Sequence, residues 1–119
     1  MRVLVIDEGR MEFRDVGDAI TLEVLKGIVG GWIETVFTVQ SVERHRSQLV
    51  GYANEEGLYI PACKPNVWMS PHERPIHGPI AIVGVDRKGE TIELTPGEFA
   101  QVSLSRTGDA RLPILQVRR

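Results

Sequence analysis

Cys63, His72 and His77, with Glu73 or His45 as a further donor, are side chains that zinc accepts, and Ser70 close to His72 and His77 pairs a hydroxyl with a base, as hydrolysis requires. Neither group has the spacing its chemistry demands. Cys63 is the only cysteine, so there is no paired-thiolate zinc knuckle and no intramolecular disulfide. A hydrolytic triad needs a base oriented by an acid from elsewhere in the fold, an alignment that neighbours in a proline-broken stretch do not achieve. No Gly-x-Ser-x-Gly elbow, phosphate loop or dinucleotide fingerprint occurs. The glycines of Gly27-Ile28-Val29-Gly30-Gly31 end an apolar stripe, whereas a phosphate site needs glycines that lead into a helix. The sequence is therefore expected to carry no metal site, no cofactor and no catalytic residue.

Most of these reactive side chains share one stretch. Pro61 to Pro79 contains five of the seven prolines, too many for a regular helix or strand. A connection of that length in a small domain commonly has a role of its own. Its Trp68-Met69 pair has the profile of an interface anchor, and the prolines limit the freedom lost on association. The expected binding residues are Trp68, as anchor, with Met69, His72, His77 and Asn66. The competing reading folds Trp68 back as a lid over the sheet edge. Trp32, which opens a strand directly after a helix stop, is expected in the core.

The elements that must position this loop follow from periodicity. Arg2 to Ile6 and Met11 to Val16 read as strands around the turn Asp7-Glu8-Gly9-Arg10. Ala19, Leu22, Leu25, Ile28 and Val29 recur at helical spacing, with Asp18 or Thr21 as N-cap, and Gly30-Gly31 stops the helix, one of the two at positive φ. Trp32 to Val39 is a strand by composition. Leu49 to Ala53 and Leu58 to Ile60 are expected to pair as a hairpin about Asn54-Glu55-Glu56-Gly57. Ile80 to Val85, almost wholly apolar, is expected as a central strand buried on both faces, turning through Asp86-Arg87-Lys88-Gly89 into Thr91 to Leu94. Thr95-Pro96-Gly97-Glu98 is a capping box with proline at the first helical position, which favours a short helix to about Ser103. The alternative is a hairpin about Thr107-Gly108-Asp109, with Leu112 to Val117 as its second arm.

Composition limits the partners. The 119 residues fit one domain, and 42 % hydrophobic with 25 % charged residues is ordinary for a globular protein. A net charge of −2 disfavours general nucleic-acid binding, and the one compact basic group outside the C-terminus, Arg44-His45-Arg46, reads as a solvated loop. The charges are unevenly spread, with a balance of −4 from Asp7 to Glu34 and +3 from Arg106 to Arg119, which leaves room for a homo-oligomer. Without a secretory or membrane-spanning stretch, and with a lone cysteine, the expected location is the cytoplasm.

An ordered series of short patterns runs through the middle of the chain: Gly30, Gly31, Ile33 and Glu34; Tyr52, Asn54, Glu55, Glu56 and Gly57; Asn66; Gly78, Ile80, Val83, Gly84 and Asp86; and Gly89. In that order it resembles a family common in bacteriophages and other mobile elements, catalogued as domain of unknown function 3846. The likeness spans about residues 20 to 100, with Trp68 to His77 and the tail from Ser105 departing from it. It supplies no catalytic residues, but it implies a short helix after the Gly89 turn and a phage accessory protein acting on its host. The expected fold is a single α+β domain over residues 1–119, with a mostly antiparallel sheet of five or six strands, one main helix on one face and a short C-terminal helix. The expected role is non-enzymatic binding of a host protein, with a small ligand such as a nucleotide signal as the alternative and an enzyme third.

Overall fold

The structure is a computed structural model, and it describes residues 1–7, 10–59 and 77–106. β1 (Arg2–Asp7) and β2 (Arg10–Asp15) form an antiparallel pair, followed by α1 (Leu22–Val29), β3 (Ile33–Gln40) and β4 (Gln48–Asn54). A 3₁₀ turn (Gly57–Tyr59), β5 (Ile80–Val85), β6 (Thr91–Ile92) and α2 (Pro96–Arg106) complete the described chain. The strands make one six-stranded antiparallel sheet in the order β2-β1-β5-β4-β3, with β6 also pairing β5. The expected α+β architecture is therefore the observed one.

β5 is central because its side chains are apolar on both faces. Ile80 and Ile82 join Leu4, Ile6, Phe37, Val39, Leu49 and Val102 on one side, while Ala81 and Val83 join Val3, Val5, Leu25 and Val29 on the other. The first cluster lies under α2 and the second under α1, so both faces of the sheet are covered, where the sequence reading placed a main helix on one face only. Phe99 of α2 reaches the Phe13 ring of β2, with centroids 5.2 Å apart. Ala100, Val102 and Leu104 alternate like a strand, but the capping box prevails and the segment is helical through Arg106. The hairpin alternative fails with it, since its first arm is this helix.

The strand expected at Leu58 to Ile60 is not formed at its described residues. Both edges of β4 are already taken, by β3 on one side and β5 on the other, so no hairpin partner has a place. The chain instead curls after Asn54, whose Oδ1 accepts the Glu56 N–H at 2.8 Å, and Tyr59 N–H closes the 3₁₀ turn on Glu56 O.

A register shift between Thr35 and Phe37 marks a bulge in β3. Counted back from Val39 and Phe37, strict alternation would put Ile33 under α2, yet Ile33 packs under α1. The inserted residue exchanges the faces. Among the described residues, no helix is long and apolar enough to cross a membrane.

Candidate functional site

Four chain segments meet where α1 ends, β3 begins, β4 ends and β5 begins. Thr21 Oγ1 caps the start of α1 by accepting the Val24 N–H, and the helix ends at Gly30, whose φ of 86° is the left-handed conformation of a C-cap. Gly30 and Gly31 both donate to Lys26 O, at 2.8 and 3.1 Å. Asn54, buried at the end of β4, fastens the corner. Its Nδ2 donates to Val29 O at 3.2 Å, one of the carbonyls a helix end leaves free, while its Oδ1 holds Glu56. A side chain at Gly31 would bring its Cβ within 2.9 Å of Asn54 Nδ2, and one at Gly57 would come within 2.5 Å of the His77 carbonyl. Glu55 N–H donates to Trp32 O at 2.9 Å and locks the start of β3 to the end of β4.

Trp32 is the correction to the sequence reading. Its backbone is fixed at this corner, but the side chain is 59 % exposed, with Lys26 Nζ 3.8 Å from the ring centroid. The tight turn at Gly30-Gly31 sets the residue before the first paired position of β3, outside both clusters. Tyr59, on the 3₁₀ turn, is 80 % exposed. His77 stands beside Gly57, with Nδ1 buried and without a hydrogen-bond partner. Of the expected binding residues only His77 falls among the described residues. Asn66, Trp68, Met69 and His72 lie outside them, as do Cys63, Ser70 and Glu73. His45, considered as a zinc ligand, is exposed on the β3–β4 loop, at the opposite end of the sheet from His77. Among the described residues no three donors gather to hold a metal.

The most strongly interacting charge lies elsewhere. Glu98, with 0 % exposure, closes the expected capping box by accepting the Thr95 N–H at 2.9 Å while Thr95 Oγ1 accepts the Glu98 N–H at 3.1 Å. The same carboxylate takes Arg44 in a two-pronged pair, Nη2 to Oε1 at 2.6 Å and Nε to Oε2 at 3.0 Å, while Nη2 also donates to Glu93 O. Burial pushes the Glu98 carboxyl up, but hydrogen bonds from Arg44, Ser41 and the Thr95 backbone, with the Arg44 charge, outweigh it and hold the group below its ordinary value. Such a carboxylate is occupied by its partners and has no proton to offer a substrate. Arg44 is accordingly not part of a solvated basic loop. The Tyr52 hydroxyl is pushed up by burial and stays protonated.

The architecture is that of a small α+β domain with an antiparallel sheet between two helices and an aromatic corner. The chain belongs to the DUF3846 family, a domain of unknown function, whose family model matches residues 1–105. No curated protein and no solved structure matches it. Much of the motif series is now explained physically. Gly30, Gly31, Asn54 and Gly57 build the corner, whereas Asp86 Oδ1 accepts from the N–H groups of Lys88 and Glu90 in the β5–β6 turn.

Proposed function

We propose that this chain is a non-enzymatic binding protein, a phage or mobile-element accessory factor that engages a host protein in the host cytoplasm through the aromatic corner. The observation that carries the reading is Trp32: a large indole whose backbone is pinned by Glu55 and whose ring is covered on one side by Lys26, yet which stays mostly in solvent. An exposed tryptophan on rigid backbone loses little freedom on association, and tryptophan dominates interface hot spots. Tyr59, 80 % exposed on the 3₁₀ turn that follows β4, is a second aromatic side chain open to a partner.

Capture of the host partner by the immobilised chain tests this, with the captured protein then purified and titrated. Trp32→Ala and Tyr59→Ala should each weaken binding at least tenfold, about 1.4 kcal/mol, while Val42→Ala, equally exposed but at the far end of the β3–β4 pair, should leave it unchanged. Trp68→Ala with an unaltered melting temperature and weakened capture would extend the surface into the proline-rich stretch. A partner indifferent to all of these tryptophan and tyrosine changes would sink the reading.

One observation favours a small ligand instead. His77 Nδ1, buried and unpartnered at the same corner, is a polar atom that a ligand's donor or acceptor would satisfy. Native mass spectrometry of the chain after exposure to lysate decides between them, since a small-ligand binder retains added mass and His77→Phe removes it.

A further inference from the structure

We infer that the chain pairs with a second copy of itself along the outer edge of β2, which no described strand pairs, in an antiparallel register centred on Phe13. Among the described residues the strands at the ends of the sheet order are β2 and β3. β3 is interrupted by its bulge, a feature that blunts an edge against pairing, whereas β2 is unbroken and runs beside β1 over its full length.

The bond from Val16 N–H to Met1 O fixes the phase of the β1–β2 ladder. Backbone groups alternate along an antiparallel strand, so Arg10, Glu12 and Arg14 turn theirs toward β1, and Met11, Phe13 and Asp15 turn theirs outward. Among the described residues nothing pairs with those outward groups.

The side chains select the register. Arg10, Glu12 and Arg14 are exposed on one face of β2, while Met11 and Phe13 are half-buried on the other, packed on the cluster under α2. A two-fold axis at Glu12 would set Glu12 against its copy and Arg10 against Arg14, like charges throughout. An axis at Met11 brings Glu12 opposite Arg10 but leaves only Arg10 to Glu12 of each β2 paired. An axis at Phe13 pairs Met11 to Asp15 of both strands. It sets Glu12 opposite Arg14 twice by symmetry, brings the two Phe13 rings side by side, and places Met11 beside the exposed Asp15. Of the two registers that pair five residues of each β2, only the one centred on Phe13 thus makes the alternating charge of this edge self-complementary. The result is one continuous antiparallel sheet across two chains, with both Trp32 corners on the β3 flanks, away from the axis. A strand pair of this length falls short of the roughly 1,200 Å² of a standard interface, so a dissociation constant on the order of micromolar is expected.

Sedimentation equilibrium of the full chain over a concentration series, read together with amide hydrogen exchange, tests the pairing. A monomer–dimer equilibrium is expected. Glu12→Arg and Arg14→Glu should each weaken it at least tenfold, while the doubly exchanged chain regains it, circular dichroism confirming that all three fold. The Met11, Phe13 and Asp15 amides should gain protection as concentration rises, whereas those of Glu12 and Arg14, already bonded to β1, stay protected throughout. A chain that remains monomeric, a dimer indifferent to the charge exchange, or outward amides protected at every concentration, which would mean the chain covers its own edge, overturns the proposal.

Discussion

At the start of α2, Arg44, Ser41 and Thr95 close on Glu98 and use its hydrogen-bonding capacity fully. At the end of α1, a glycine conformation and a single buried amide do the fastening, and a large aromatic side chain is left in solvent. Both junctions tie a helix to the sheet, but the first spends its polar groups internally and the second leaves its most interactive group unspent. The contrast separates charge that serves the fold from aromatic surface that stays in solvent. A perturbed carboxylate in a small domain is often taken as a mark of catalysis; here it marks a joint.

The widest gap between the two junctions should come from Glu98→Ala. It strands Arg44, removes the cap of α2 and should cost about 3–5 kcal/mol in denaturant unfolding; a cost near zero would mean the pair is not buried in solution. The same carboxylate sets an acid response. Because its folded pKa is depressed, its stabilising contribution is present above the ordinary glutamate range and is lost as pH falls through the folded value. The melting temperature should therefore drop with acidification more steeply in the native chain than in Glu98→Gln, and parallel curves would remove Glu98 from the account. At the other junction, Asn54→Ala leaves Val29 O and the Glu56 N–H without their partner and should cost about 1–3 kcal/mol. Gly30→Ala places a side chain at positive φ for about 1 kcal/mol. Trp32→Ala should move stability by no more than about 0.5 kcal/mol while reducing partner binding. If it destabilises as much as Asn54→Ala, the indole is structural and the contrast collapses.

Local chemistry was legible in the sequence. Gly30-Gly31 announced the helix end, Thr95 to Glu98 the capping box, and the apolar run from Ile80 to Val85 the central strand. Long-range partnerships were not. Arg44 and Glu98 are 54 positions apart, and nothing near Arg44 announces that its charge is spent. The hairpin expected around Asn54 to Gly57 fits its local residues well, and it fails only because β4 has neighbours on both sides, a fact of topology. Trp32 was misread because a tryptophan at a strand start is commonly core, and neither the bulge nor Lys26 across its ring has a sequence signature. Of the expected site only His77 could be placed, and the Trp68 anchor lies outside the described residues.

The position of β5 in chain order has a kinetic consequence. β1 with β2 and β3 with β4 each close locally, but the strand that joins the two pairs comes after both of them and their connections. Until it arrives, Val3 to Ile6 present an apolar edge with no neighbour, and the β4 edge is equally open. A ribosome therefore releases two half-sheets before the segment that unites them, and closing so distant a contact slows the final step. Nascent chains interrupted before Ile80 are where aggregation of this protein should concentrate.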